Sequence, residues 1–485
     1  MTERQDDGRA AAAKRIGAEA RQVMRNPGLP PQLQCINLGA AGIDVGATAH
    51  FVAVPPGSAD PPVRKFEAFT VDLNRLADWL RECRVNTVVM ESTGVYWVAL
   101  FDLLESRGFQ VLLVDPHKLK SVPARKSDML DCQWLQHLHT VGMLTGAFRP
   151  AENVRVLRSF VRQRAMLIRY AAHHIQHMQK ALEQMNLKLH HVISALTGMT
   201  GMAIVRAILA GERDPAELAK LRDRRCKNDA ATIAKSLEGT WREEHLFELR
   251  QAVELYDTYQ EKIAACDQLI EVCVRGFQDL SGGGPAPEST KGRKTRNRKN
   301  TIGFEARGHL FRMTGVDLTR IDGIDVQTAL PLIAEIGMDM TRWPNSKHFC
   351  SWLGLCPGTK ISGGKKLDSR TKACANRAAG LLRIAAQGLV NSRSALGAFY
   401  RRMRGRLSGP EAITATAHKL ARLVYSMLKN GTDYVDQGQE QYERRHQERA
   451  VSSLTRRAKD LGYALVPVPP PPPAAAAVQP AFARA

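Results

Sequence analysis

The residues that decide the fold run from Val85 to Gly142, VNTVVMESTGVYWVALFDLLESRGFQVLLVDPHKLKSVPARKSDMLDCQWLQHLHTVG. The run Val85–Met90 is short, apolar and β-branched, which is typical of a buried parallel strand. Apolar residues then recur at helical spacing over Val95–Ser106, and a second buried strand is predicted over Phe109–Val114. The stretch therefore predicts a strand, a helix, a strand, a basic loop and a final helix.

Two acids mark the beginning of that final helix, Asp128 and Asp131. Residues three positions apart lie on one face of a helix, so the two carboxylates are expected to project side by side. Acids at a helix N-terminus also suit the helix dipole, and simple capping is therefore the alternative interpretation. An apolar stripe is expected along the same helix, formed by Leu130, Trp134, Leu138 and Val141.

Three strands and a helix are predicted upstream, at residues 42–46, 50–54, 63–69 and 73–83. The resulting order βββαβαβα is that of ribonuclease-H/RuvC-like folds, in which acids converge at one edge of the sheet. Asp44 lies within an apolar strand, where a carboxylate is costly unless it is paired or bound to metal. Backbone NH groups at the nearby turn could also satisfy it. The four candidate acids are Asp44, Glu91, Asp128 and Asp131.

Four converging carboxylates repel one another unless a cation lies among them. Ligands that are all oxygen suit Mg²⁺ or Mn²⁺, with phosphate oxygens completing the coordination shell. Such ions stabilise charge at a phosphoryl group during transfer. The basic residues of the preceding loop would then position a phosphate, or else form a plain solvated loop. They are Lys118, Lys120, Arg125 and Lys126.

The charge balance of the whole chain favours a polyanionic partner. Its 485 residues include 69 Lys and Arg against 48 Asp and Glu, a formal net charge of +21. Nucleic acid is the commonest such partner, with a membrane surface as the competitor. No run of 18 apolar residues and no signal-peptide core occurs, so a membrane is not expected. The nine cysteines form no CxxC pair, which fits a reducing cytosol. Together with the basic charge, this predicts a cytoplasmic, nucleoid-associated protein.

The chain divides into six segments by composition and period. Residues 1–34 predict a disordered basic lead-in, 35–150 the acid-bearing α/β domain, and 151–280 a coiled-coil region for dimerisation. Its two helical stripes, 154–192 and 249–280, pair either with each other or between protomers, and Arg164 is the polar seam position that could set the register. A basic Gly/Pro linker covers 281–303, a mainly α domain 304–440, and a basic, then Pro/Ala-rich tail 441–485.

The C-terminal domain contains two motifs that bear on function. Gly323 lies in a segment that resembles a helix-hairpin-helix, in which backbone NH groups approach a DNA phosphate; a packing corner is equally compatible. Ser362 precedes two glycines and the pair Lys365 and Lys366. Such a serine is exposed and electropositive, although most serines in this setting are simply turn residues.

Together these motifs resemble the DEDD transposases of the insertion-sequence-110 family, the serine-dependent, bridge-RNA-guided recombinases. The resemblance covers about residues 40–435, with the elements in the family's order. The chain departs from the family in its greater length and in Ala375, where glycine is expected before Asn376. The matching motifs are Gly42–Gly46, Glu91–Gly94, Asp115–Pro116, Lys126–Asp128, Asp131, Ile321–Ile324, Ala334–Gly337, Gly354–Pro357, Ser362–Gly363, Asn376 and Leu382–Arg383.

The resemblance implies that Asp44, Glu91, Asp128 and Asp131 hold a divalent metal and that Ser362 is the nucleophile. It also implies a homo-oligomer, dimer or tetramer, in which the serine of one protomer meets the acids of another. A non-coding bridge RNA would specify donor and target double-stranded DNA. Two rival functions remain open on the sequence: a hydrolytic junction-resolving nuclease that uses the same acids, and a non-catalytic nucleic-acid scaffold.

Overall fold

A computed structural model describes residues 37–115, 128–288, 300–368, 370–371 and 376–466. The chain forms two compact units, one ending at Arg149 and one beginning at Pro150. The predicted lead-in 1–34, the basic centre of the linker and nearly all of the Pro/Ala tail lie outside the described residues.

The first unit is a mixed α/β domain built on a five-stranded sheet. Strand β1 pairs antiparallel with β2 and parallel with β4, β2 pairs antiparallel with β3, and β4 pairs parallel with β5, giving the spatial order β3-β2-β1-β4-β5. The predicted element order βββαβαβα is confirmed. The elements are β1 Ala40–Val45, β2 Ala49–Ala53, β3 Val63–Glu67, α1 Thr70–Glu82, β4 Thr87–Glu91, α2 Trp97–Ser106, β5 Gln110–Val114 and α3 Asp128–Thr140.

Helices cover both faces of this sheet, and successive side chains along each strand point to opposite faces. Ile43 and Met90 point to the face on which α1 and α2 pack, and the core there includes Leu76, Leu80 and Leu104, all fully buried. The opposite face carries α3. Parallel strands buried on both sides read as continuous apolar runs, which is why β4 was recognisable from sequence.

Helix α3 does not bury the stripe that the sequence predicts. Leu130 and Trp134 are 48% and 38% exposed, whereas Cys132 and Leu135 are buried against the sheet. The helix therefore presents a more polar face to the sheet, with Gln136 and His139 also buried. The prediction was wrong because this face is chosen by fit to a glycine and by buried hydrogen bonds, not by apolar area.

In the second unit two long helices, α4 Glu152–Gln184 and α9 Glu243–Arg275, pair with each other within the chain. Buried Arg164 of α4 donates from Nε to Asp267 Oδ1 of α9 at 2.5 Å, and it also donates to the carbonyls of Asn300 and Thr301. A buried charge pair is tolerated only when its remaining hydrogen bonds are satisfied. Arg164 therefore fixes the register of an intrachain helix pair; pairing between protomers stays a prediction.

The rest of the second unit is mostly helical, as predicted. Short helices connect α4 to α9, and a helical C-terminal part follows. The elements are α5 Leu189–Val192, α6 Met199–Leu209, α7 Pro215–Lys220, α8 Ala230–Lys235, α10 Ala306–Thr314, α11 Val326–Ile336, α12 Ser346–Trp352, β6 Lys360–Ser362, β7 Lys365–Asp368, α13 Arg377–Gln387, α14 Ala395–Arg404, α15 Gly409–Asn430 and α16 Gly438–Asp460.

Helix α16 was missed by the sequence analysis, which placed a polar tail beyond residue 441. It has no buried residue, so it lacks the apolar stripe that helix prediction depends on. Its Glu, Gln, Arg and Ala content has high intrinsic helix propensity. No helix among the described residues is long and apolar enough to cross a membrane.

Candidate active site

The candidate site is built on one row of residues across the sheet. Lys65 of β3 is in register with Phe51 of β2, and Phe51 is in register with Asp44 of β1. Ile43 pairs with Met90 in the parallel ladder, so one residue further along Asp44 stands beside Glu91. Neighbouring strands lie about 4.8 Å apart and registered residues share a face. The sheet therefore places these two carboxylates next to each other on the face that carries α3.

Helix α3 lies close against this face because β1 contains a glycine. A Cβ at Gly42 would lie 2.3 Å from both the carbonyl oxygen of Cys132 and the backbone nitrogen of Gln136. Only a residue without a side chain lets the two backbones approach so closely. The middle of α3 therefore packs directly on β1 at Gly42, which is two residues before Asp44 in the strand.

The far end of α3 is held at the opposite end of the strands. His139 Nε2 lies 2.8 Å from Thr87 Oγ1, a residue that begins β4. The same hydroxyl is also within hydrogen-bond distance of the Gln110 carbonyl, at 3.1 Å. Asn37 donates to the His139 carbonyl at 2.9 Å. Helix α3 therefore runs antiparallel to β4, and its N-terminus, with Asp128 and Asp131, lies toward the strand ends that carry Asp44 and Glu91.

The pKa of the Cys132 thiol indicates that two of the acids lie near it. Burial, helped by the carboxylates of Asp44 and, more weakly, Asp131, raises the pKa of its thiol to about 12. Both acids are thus near enough to Cys132 for their charge to act on it. The Cys132 thiol donates to the Met129 carbonyl and its side chain packs against Ala53 and Val63, whereas the acids at this edge offer hard oxygen ligands.

The remaining predicted residues have different outcomes. Asp128 begins α3, but its side chain lies outside the described residues, as do Lys118, Lys120, Arg125 and Lys126. Ser362 belongs to the second unit and is exposed at the end of β6. Gly363 and Gly364 follow with φ of 54° and 74°, and Ser362 pairs with Lys365. Two positive φ values are the requirement of a tight two-residue hairpin, so the serine stands beside the tip. The side chain of Lys366 is not described.

Gly323 occupies a packing corner. Its φ is 86°, and a Cβ there would lie 2.7 Å from the carbonyl oxygen of Ala385. The element before it, Leu318–Arg320, is one turn of 3₁₀ helix where a helix-hairpin-helix has an α-helix. Close packing against α13 accounts for the glycine, and a phosphate contact at Gly323 stays a prediction.

Among the described side chains, a group of potential ligands with atoms within 4.8 Å of one another consists of Glu183, His190 and His191. It lies where α4 meets α5, and Glu183 also accepts a hydrogen bond from Lys188. A lysine bonded to the carboxylate competes directly with any cation. The carboxylates of Asp44, Glu91 and Asp131 do not all lie within 4.8 Å of one another, and the side chain of Asp128 lies outside the described residues.

Sequence reasoning missed Gly42, Cys132 and Lys65 as parts of the site. Gly42 carried a signal, since a glycine inside a strand often marks a close backbone approach. Lys65 had none, because its place in the row follows from the registers of β2 and β3.

We expect Gly42→Ala to displace α3 from the sheet, because its new methyl group would overlap backbone atoms of Cys132 and Gln136. The free energy of unfolding in urea should fall by about 1–3 kcal/mol. Gly380→Ala is the matched control, since a Cβ there meets nothing within 4 Å. Equal stability of the two variants would contradict this seating of the helix.

Two regions of the chain are similar to known transposase families. A DEDD family model of the IS110 type, described as "Transposase", matches residues 41–187, and one described as "Transposase IS116/IS110/IS902 family" matches residues 317–401. The "Insertion element IS110 uncharacterized 43.6 kDa protein" of Streptomyces coelicolor is 30% identical over 119 residues, which cover 24% of this chain and 29% of that relative. The chain thus spans less than a third of the length of the curated relative it matches. These findings support an IS110-family transposase.

Proposed function

We propose, from the likeness to IS110-family transposases, that this chain cleaves and rejoins DNA strands as the recombinase of an insertion sequence. The observation that carries the proposal is the juxtaposition of Asp44 and Glu91 on neighbouring strands, with the acidic start of α3 directed to the same end. The five-stranded order and the helix on this face are those expected of a ribonuclease-H/RuvC-like domain.

Asp44, Glu91, Asp128 and Asp131 would hold a divalent cation. Their oxygen-only donors fit Mg²⁺ or Mn²⁺. When bound, the ion supplies charge stabilisation at the scissile phosphate. Lys65 and the basic loop would orient the DNA backbone over the acids.

Ser362 would act as the nucleophile of the cleavage step. Its exposed place beside a glycine turn lets a phosphate approach closely, and Lys365 across the hairpin adds positive charge. Oγ forms a bond to phosphorus, the bond from phosphorus to the leaving deoxyribose oxygen breaks, and the serine proton is balanced by one taken up at that oxygen. The resulting phosphoester keeps the bond energy for rejoining.

The proposal includes a structured non-coding RNA that selects donor and target DNA, and a dimer or tetramer of the chain. Its support is the family likeness together with the net charge of +21, which suits more than one nucleic-acid partner.

The direct test is a denaturing gel of end-labelled duplex DNA incubated with protein, Mg²⁺ and the RNA transcribed beside the gene. We expect a shifted band that protease removes, with the DNA attached to a peptide containing Ser362. Cleaved DNA without an adduct would support a hydrolytic nuclease instead. Binding without metal-dependent cleavage would support a non-catalytic scaffold.

A further inference from the structure

A second concentration of positive charge lies in the C-terminal helices, outside both regions that the family models match. It is formed by Arg402 near the end of α14, Lys419 and Arg422 on α15, and Arg449 on α16. We call these four side chains the C-terminal basic cluster. Arg422 and Arg449 are exposed, while Arg402 and Lys419 are half-buried.

Two cations of the cluster make cation–π contacts with aromatic rings. Lys419 Nζ lies 4.4 Å from the centroid of the Phe399 ring and 5.0 Å from that of Tyr442. Arg402 Cζ lies 4.6 Å from the centroid of the same Tyr442 ring. Two cations on one ring repel each other, and the ring's attraction offsets only part of that repulsion.

The surrounding charges do not neutralise the cluster. Within the described part of the chain, none of its four members forms a salt bridge. Burial lowers the pKa of Lys419, and Arg402, Arg422 and Arg449 lower it further, against a smaller opposite effect of Asp436. Glu443 and Glu448 line the shallow clefts beside Tyr442 and Arg449. Because nearby carboxylates neutralise little of this positive charge, the cluster favours binding of an anion.

We propose that the C-terminal basic cluster is a docking site for the phosphodiester backbone of nucleic acid, separate from the carboxylate site. The four cations are carried by three packed helices, each can neutralise a backbone phosphate, and Tyr442 and Phe399 supply apolar surface beside them. The cluster belongs to a different unit of the chain from the carboxylate site, and a role in binding does not depend on the proposed chemistry.

The test is fluorescence anisotropy of full-length protein with a labelled DNA duplex and with a labelled hairpin RNA, over a range of KCl concentrations. The test variant is Arg402→Gln, Arg422→Gln and Arg449→Gln combined. The control removes the same charge from three exposed, ion-paired cations, through Arg206→Gln, Lys220→Gln and Arg225→Gln. Arg422→Gln with Arg449→Gln alone alters only exposed positions and covers the case in which Arg402 is needed for folding.

We expect the triple variant to bind at least ten times more weakly near 0.15 M salt. The slope of log affinity against log salt should fall by about 2–3, since each phosphate that is no longer neutralised lowers it by about 0.9 on duplex DNA and about 0.7 on a single strand. Weaker binding of DNA alone or RNA alone assigns the cluster to that nucleic acid and supports the proposal. The proposal is overturned if both slopes match the control, even if cleavage also fails.

Discussion

The Ser362→Ala variant is expected to lose strand rejoining and the covalent adduct while it binds DNA as tightly as the native protein. Removal of Oγ takes away the atom that forms the phosphoester and leaves the carboxylate site of the first unit intact. Loss of a nucleophile typically costs about 10³-fold or more in rate. The side chain is exposed, so stability should not change measurably.

Rejoined product and adduct are measured on the same denaturing gel, with thermal unfolding as the check on folding. Ser351→Ala is the matched control, because Ser351 is an exposed serine of the same unit. We expect the control to retain native rates. Continued cutting by Ser362→Ala with free ends and no adduct would assign water as the nucleophile.

Asp44→Asn is expected to reduce metal-dependent cleavage by about 10³-fold, or about 4 kcal/mol in the barrier. Asparagine keeps the size of the side chain and removes one charge from the pair with Glu91. The melting temperature without metal is measured alongside as the check on folding. DNA binding should be retained, since one negative charge near the phosphate path is gone.

The discriminating readout for this variant is stabilisation by Mn²⁺. A ligand at 100 times its dissociation constant stabilises a fold by about 2.7 kcal/mol, so native protein should melt higher with Mn²⁺ and Asp44→Asn should not. His190→Ala, combined with each form, removes any contribution from the Glu183 group. Asp72→Asn, at the partly buried ion-pair partner of the exposed Arg75, is the charge-matched control. If Mn²⁺ raised the melting temperature of Asp44→Asn as much as that of the native protein, the assignment of Asp44 as a metal ligand would be wrong.

The strands and helices of the first unit were largely predictable, because β4 is buried on both faces, β5 is an apolar run, and α1 and α2 carry apolar stripes. The same patterns placed Asp44 within the first strand and Glu91 at the end of the fourth. Their adjacency needed only the parallel pairing of β1 with β4. The long helices α4 and α9 were predictable from the heptad spacing of their apolar residues. The same spacing identified Arg164 as the polar residue in the seam.

Other features were beyond sequence reasoning because they depend on tertiary fit. The buried face of α3 follows from the space at Gly42 and from the Thr87–His139 hydrogen bond, neither of which a hydrophobic pattern encodes. Helix α16 buries no residue and so gave no period to detect. The partner of Arg164, Asp267, lies 103 residues away in the chain, and only the paired helices bring the two together.

The central claim is that acids from β1, β4 and α3 form one cation site. Its most direct test is a crystal structure of the full chain grown with Mn²⁺, with data collected at the manganese absorption edge. We expect an anomalous peak within coordination distance of Asp44 and Glu91, with Asp128 or Asp131 completing the shell. A peak confined to Glu183 and His190, or carboxylates of Asp44 and Glu91 that share no ion, would contradict it.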